Sequence, residues 1–314
     1  MKTIIIIVGA ARSGSTLLAK AIGGHSNCFT LGEINSFNDE INNPKTHCGC
    51  AKKLSECNFW NGVLVHIENE KKIEIKGKIK SFNVRISNQL TKKNKILLLM
   101  LTILFGKVYK NKNLEREIEN TFVLYQTIFN KTNSKVLIDS SKGLFRALVL
   151  ASQFNKEIQF KFVQLTRDGR GVLNSSLKSS YNILHKDGVL RSYKGRIDKN
   201  PSIVINSWLY INLRNFIVLK LFNKRKSIFI RYEDFTSNPS KYLKQIYKSV
   251  DLKYEETVLN LGKNENHILS GNASRINAKK IKRQDDKWQN NLDKVILGKF
   301  NKRAGWFNKL LGYN

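Results

Sequence analysis

The chain is short of acidic residues, of proline and of long apolar runs. Twenty-four Asp and Glu stand against 55 Lys and Arg, a formal net charge of +31 at pH 7. Such a field draws polyanions and does not choose among nucleic acid, anionic membrane and small phosphorylated molecules. Many lysines sit beside asparagines, as in Lys92-Lys93-Asn94-Lys95 and Lys110-Asn111-Lys112-Asn113, a pattern that compositional drift on a solvated face would also give. No zinc finger, basic leucine zipper or RNP aromatic signature accompanies the charge, so a specific nucleic acid partner is not expected. Three prolines in 314 residues, with no proline-rich or serine-rich linker, argue for one domain with insertions.

The apolar stretch Ile96–Phe105 is ten residues long, about half of what a membrane span needs. A buried helix is the favoured reading, and a segment lying on an anionic membrane surface is the alternative. The run Ile4–Val8 is too short for the apolar core of a signal peptide, so a cytoplasmic location is expected, with peripheral membrane contact left open. In that setting the four cysteines, Cys28, Cys48, Cys50 and Cys57, read as thiols or metal ligands rather than disulfides.

What is present begins at the N-terminus. The apolar run Thr3–Val8 leads into Gly9-Ala10-Ala11-Arg12-Ser13-Gly14, and Ser15-Thr16 open a helical stretch through Ile22. A strand, a glycine loop and a helix in that order form a cradle for an oxyanion, because the loop amides and the first helical turn offer N–H donors without intrahelical partners. Against the Walker A pattern G-x-x-x-x-G-K-[ST], Gly9, Gly14 and Thr16 are in register, but the lysine position is Ser15. A cation stands inside the loop instead, as Arg12. This weakens an ATPase or GTPase reading.

Further along, three strand-like runs end in charged loops followed by helices. Lys135–Ile138 delivers Asp139-Ser140-Ser141-Lys142, Phe160–Thr166 delivers Arg167-Asp168-Gly169-Arg170, and Ser227–Ile230 delivers Arg231-Tyr232-Glu233-Asp234. Phe29–Asn35 reads as a short strand or turn carrying Glu33. Helices are expected over 89–131, 144–152, 171–180 and 201–221, and short β-rich pieces such as Lys72–Ile75 within 63–88. The alternation predicts an α/β fold, a P-loop-like three-layer sandwich around a central parallel sheet with a site at the strand carboxyl ends. Segments 38–62 and 85–131 read as insertions.

The run Arg167–Ser175 is a second basic constellation. With a helix starting near Gly169, Arg167 lies in the approach loop and Ser175 about two turns in, so both reach one anion if it rests along the helix flank. A guanidinium fork suits phosphate. The first loop resembles the 5′-phosphosulfate loop of sulfotransferases that use 3′-phosphoadenosine-5′-phosphosulfate (PAPS). Arg167 through Ser175 is similar to the 3′-phosphate motif of that family, an arginine followed eight positions later by a serine. The carbohydrate and tyrosylprotein branch, with its bacterial members, is the nearest in pattern: its R-S-G-[ST]-T is here Arg12-Ser13-Gly14-Ser15-Thr16. Gly32-Glu33, Trp208, Arg231–Asp234 with Pro239, and His267 through Gly271-Asn272-Ala273-Ser274-Arg275 extend the resemblance from residue 4 to about 292.

The resemblance implies an enzyme that moves a sulfonate group from PAPS to a hydroxyl of a carbohydrate, phenol, tyrosine or lipid. It implies Glu33 as general base, Arg12 and Lys142 as cations at the transferring group, and Arg12, Ser13, Gly14, Ser15 and Thr16 at the 5′-phosphate. Arg167, Ser175, Gly271, Asn272 and Arg275 would serve the 3′-phosphate. A Glu in water is a poor base near neutrality, so partial burial of Glu33 is expected. No metal is expected at the transfer centre. Segments 38–62, 85–131 and 183–200 are expected to line the acceptor pocket. The alternatives are a P-loop nucleotide phosphotransferase and a non-enzymatic polyanion-binding or nucleic-acid-binding protein. Cys48-x-Cys50 with Cys57 and His47 is a candidate zinc cluster. Its spacing is tighter than the usual C-x₂₋₄-C and no fourth cysteine lies near, which favours three thiols packing an insertion ahead of Phe59-Trp60.

Overall fold

The computed structural model describes residues 1–71, 82–86, 112–154, 156–177, 180–184, 190–194, 200–222, 227–263, 265–282 and 286–313. The apolar run 96–105 and Lys72–Ile75 lie outside these residues. Strands β1 (Lys2–Val8), β2 (Cys28–Gly32), β3 (Val136–Lys142), β4 (Ile158–Thr166) and β7 (Ser227–Arg231) form one sheet in the order β2-β3-β1-β4-β7. Every pairing in it is parallel. Strands β5 (Ser180–Leu184) and β6 (Leu190–Lys194) make a separate antiparallel pair, a hairpin that the sequence reading did not anticipate.

The centre of the sheet is apolar on both faces because both are covered. Along β1, Ile4, Ile6 and Val8 pack under Trp60, Ile128, Phe129 and Leu148, while Ile5 and Ile7 pack on the opposite side under Leu18, Ile22, Leu243 and Ile246. Helices Asn58–Lys71, Lys112–Thr132 and Leu144–Gln153 supply the first layer; Ser15–Ile22 and Pro239–Lys248 supply the second. The three-layer α/β fold expected from the sequence is the observed one. A third cluster joins helix Pro201–Phe222 to Lys294–Leu310, with Ile205 and Trp208 buried against Phe300, Ala304 and Phe307. Over Pro201–Lys220 the first of these helices is long and apolar enough to cross a membrane by length and composition.

Residues 63–71 correct the sequence reading, since they are helical and not β-rich. Val63, Val65 and Ile67 alternate like a strand, but Trp60, Val63, Leu64 and Ile67 recur at helical spacing and are the residues buried. Tertiary burial of that stripe decides the outcome. In the cysteine segment, Cys48, Cys50 and Cys57 are buried in the same cluster as Ile4 and Phe37.

Two buried charges tie elements together. Asp139 is fully buried at the end of β3 and accepts from Tyr125 Oη at 2.6 Å, Arg146 at 2.5 Å and the Ser141 amide at 2.8 Å. Lys20, on the helix after the first loop, donates to the carbonyls of Arg275 at 3.0 Å and Ala278 at 2.8 Å. Burial lowers the Lys20 pKa from its ordinary 10.5 to about 8.

Removal of the Asp139 carboxylate strands the Arg146 guanidinium in the core, so Asp139→Ala should cost roughly 3–5 kcal/mol, read as a shift of the urea midpoint; Arg146→Met with Asp139→Asn should recover part of it. Lys20 gives a pH signature. Between about 8 and 10.5 the unfolded chain holds a proton on Lys20 that the folded chain has released, so unfolding free energy should rise with pH across that window. Denaturation of the wild type and Lys20→Met at pH 7.5, 9 and 10 should show this rise as a difference between the two; parallel curves would contradict it.

Candidate functional site

Because all five strands run in one direction, their carboxyl ends share one edge. After β1 the chain turns through Gly9–Gly14 into the helix Ser15–Ile22. Gly14 precedes that helix at φ 91°, and a Cβ there would lie 2.2 Å from the Tyr232 ring, so no other residue fits without displacing the ring. Gly14 gives the helix no side-chain cap, so the first N–H groups, at Ser15 and Thr16, face the loop without one. Ser13 is buried, and its hydroxyl has no hydrogen-bond partner among the described residues.

Register brings the carboxylate and lysine to this loop. Val8 of β1 pairs with Lys142 of β3, and Gly32 of β2 pairs with Asp139, each past an irregularity in the ladder. Lys142 Nζ donates to Glu33 Oε1 in an ion pair, with the two side chains 17% and 27% exposed. The expected partial burial of Glu33 is therefore present. Lys142 and Arg12 both have positive φ, at 65° and 67°. Non-glycine residues held this way cost backbone energy and concentrate at working sites. The turn at Lys142 rests on the buried Asp139, because Ser141 donates to Asp139 and in turn accepts from the Asn35 amide at 3.0 Å.

The second basic constellation meets the first directly. The helix Gly169–Leu177 starts at Gly169, as its motif suggested. Arg12 donates through Nε to Ser175 Oγ and through its terminal nitrogen to the Ser175 carbonyl, both at 3.1 Å. Arg167 donates to the Arg12 carbonyl at 3.0 Å and stacks its guanidinium on Tyr232, 4.9 Å from the ring centroid. Its Nε is buried with no partner among the described residues. The corner that carries Arg167 is fixed from three sides. Trp208 Nε1 donates to the Arg167 carbonyl at 3.1 Å, Glu233 accepts from the Asp168 amide at 3.1 Å, and Asn308 accepts from the Gly169 amide at 3.0 Å. Burial raises the Glu233 pKa. Asp168 pairs with Arg170, which lies over Trp288, so that pair braces the corner.

A late loop crosses from the other side. The Leu269 amide donates to the Leu31 carbonyl at 3.0 Å, the Glu33 amide to the Ser270 carbonyl at 3.3 Å, and the Asn272 amide to Thr16 Oγ1 at 3.2 Å. Between this loop and the first lies a cleft of about 260 Å³ lined by Ala11, Arg12, Gly14, Ser15, Thr16, Glu33, Lys142, Ser270, Gly271, Asn272 and Ser274. That is several times the ~30 Å³ share of one water, and Arg12, Glu33 and Lys142 all line it.

Eight of the residues singled out from sequence thus line one cleft: Arg12, Gly14, Ser15, Thr16, Glu33, Lys142, Gly271 and Asn272. Ser13 lies buried in the same loop, and Arg167 and Ser175 flank it through Arg12. Arg275 does not join the lining. Its guanidinium donates to the carbonyls of Gly271 at 2.6 Å and His47 at 3.1 Å, so it braces the late loop from behind. Ser274 lies in the quoted motif without an assigned role, and Ser270, Lys20 and Asn308 were not singled out. A polar residue beside Gly271 was a readable signal for Ser270; Asn308 acts across 139 positions and had none.

No protein-family model and no curated protein sequence matches the chain. Solved structures do. A sulfotransferase domain from the olefin synthase of Synechococcus PCC 7002 superposes with a TM-score of 0.57 at 18% identity, covering 100% of this chain and 97% of that one. A sulfotransferase domain from the curacin biosynthetic pathway gives 0.56 at 16% identity, covering 100% and 99%. At such identities the likeness is one of architecture. The chain has a sulfotransferase-like fold, a parallel sheet between helical layers with its cleft at the strand carboxyl ends.

Proposed function

We propose that the chain is an enzyme that transfers the sulfonate group of PAPS to a hydroxyl of a carbohydrate, phenol, tyrosine or lipid acceptor. The observation that carries this reading is the direct contact of Arg12 with Ser175 and of Arg167 with the Arg12 carbonyl, beside a cleft shared by Glu33 and Lys142. One loop suited to the 5′ end of a doubly phosphorylated adenosine and one suited to its 3′-phosphate are therefore neighbours. The buried hydroxyl of Ser13 and the buried Nε of Arg167, each without a protein partner among the described residues, fit anionic oxygens.

PAPS supplies the sulfonate and an adenosine bisphosphate leaving group. The amides and hydroxyls of Ser13, Gly14, Ser15 and Thr16 would hold the 5′-phosphate. Arg167 and Ser175 would hold the 3′-phosphate, with Gly271 and Asn272 closing from the opposite side and Arg275 supporting them. Glu33 would take the acceptor proton as the oxygen bonds to sulfur and the bond from sulfur to the phosphate oxygen breaks. The ion pair engages Oε1 of Glu33, so Oε2 is the oxygen that would receive the proton. Arg12 and Lys142 would balance charge growing toward the leaving group, a role that preorganised cations perform without reorganisation. These steps call for no metal at the cleft. Ser15 in place of the Walker lysine disfavours a phosphotransferase of the same shape.

With PAPS and an accepted hydroxyl compound, Glu33→Gln should lower turnover by roughly 10²–10⁴-fold and leave affinity for adenosine 3′,5′-bisphosphate within about twofold. Equal loss of both would remove Glu33 as the base. Arg167→Ala should weaken the bisphosphate by about tenfold or more, as expected for a lost charged hydrogen bond, while AMP affinity changes little. Equal loss for the two nucleotides would reject the 3′-phosphate contact, and binding that tracks salt alone would favour a nonspecific polyanion binder.

A further inference from the structure

Four metal-ligating side chains converge away from the cleft lining. Cys48, Cys50 and Cys57 come from the segment ahead of helix Asn58–Lys71, and His267 comes from the late loop 210 positions further on. Their ligand atoms all lie within 4.8 Å of one another. Cys48 and Cys57 sulfurs are 3.6 Å apart and those of Cys50 and Cys57 3.9 Å. His267 Nδ1 is 3.7 Å from the Cys48 sulfur and 3.4 Å from that of Cys57. A tetrahedron built on Zn–S of about 2.3 Å and Zn–N of about 2.0–2.1 Å has edges of about 3.8 Å between sulfurs and about 3.5 Å between sulfur and nitrogen. Four of the six edges match those of a three-sulfur, one-nitrogen zinc site, and the other two are no longer than 4.8 Å.

We propose that Cys48, Cys50, Cys57 and His267 bind a structural zinc ion that ties the cysteine segment to the loop bearing Ser270, Gly271 and Asn272. Three thiolates and an imidazole in a tetrahedral array select zinc among common divalent ions. Four protein ligands with the three cysteines buried leave no open position, the mark of a structural site. His47, the histidine nearest in sequence, takes no part; its ring meets the Lys45 carbonyl at 3.1 Å.

The surroundings are built to hold this geometry. The His267 ring stacks on Phe59 at 4.8 Å with planes 10° apart, and Trp60 Nε1 donates to the His267 carbonyl at 2.8 Å. The Gly49 amide, between the first two thiols, donates to the Ile268 carbonyl at 3.0 Å. A Cβ at Gly49 would fall 1.9 Å from Asn266 Oδ1 and 2.8 Å from the Ile268 nitrogen, so the two segments touch through backbone. Three residues after His267 the chain reaches Ser270 in the cleft. The ion would thus fix the height of the late loop over Thr16.

The test uses the untagged full chain purified without chelators from zinc-supplemented cells. Elemental analysis should find about one zinc per chain, lost in Cys57→Ser and kept in His47→Ala. His267→Ala should weaken zinc binding by at least roughly tenfold. If the cysteine variant does not fold, the wild type decides: after stripping, Co²⁺ should bind one per chain with the visible absorption of tetrahedral thiolate ligation. Stripping should also speed amide exchange at Gly49 and Leu269 by roughly tenfold or more. Absence of stoichiometric zinc after incubation with excess Zn²⁺, full zinc in Cys57→Ser, or a disulfide among the three cysteines would each overturn the proposal. None of these readouts involves a nucleotide, so they fail or succeed separately from sulfonate transfer.

Discussion

The arrangement depends on β1 being buried on both faces and hydrogen-bonded on both edges. With β3 on one side and β4 on the other, the loop leaving β1 must emerge between the ends of those two strands. Lys142 arrives from one and Arg167 from the other, and neither needs a long excursion to reach the loop. The parallel ladder also fixes depth: Val8 stands level with Lys142 and with Gln164. A site of opposed charges on loops is thereby held at the ends of strands whose relative depth the ladder sets.

The charged groups there are held by neutral or buried partners rather than by one another alone. Trp208, Glu233 and Asn308 lock the Arg167 corner, and Tyr125 and Arg146 lock Asp139 beneath Lys142. An extreme positive charge repels itself, and backbone-directed arginines such as Arg167 and Arg275 are one way to keep cations close. The late loop completes the enclosure through its own main-chain groups, which bond the Leu31 carbonyl, the Glu33 amide and the Thr16 hydroxyl, so its sequence is constrained by shape as much as by charge.

Much of this was legible in the sequence where local pattern and tertiary burial agree. The β1 run, the strands near 136, 160 and 227 and the charged loops after them follow from apolar runs ending at polar residues. The gathering of Arg12, Glu33, Lys142, Gly271 and Asn272 at one cleft was approached through resemblance, since no local rule brings residue 271 to residue 16. The helix over 63–71 was misread because β-branched residues alternate there, although the buried stripe has helical spacing. His267 could not be joined to Cys57 from spacing, and His47 stood closer in sequence while lying outside the cluster. The paired strands Ser180–Leu184 and Leu190–Lys194 give no strong period.

In the proposed reaction one edge of the sheet would grip both ends of a single 3′,5′-phosphorylated adenosine. A crystal structure with adenosine 3′,5′-bisphosphate tests it most directly. The 5′-phosphate should lie on the amides of Ser13 through Thr16 and the 3′-phosphate against Arg167 and Ser175. A nucleotide bound elsewhere, or one with its 3′-phosphate turned to solvent, would contradict it.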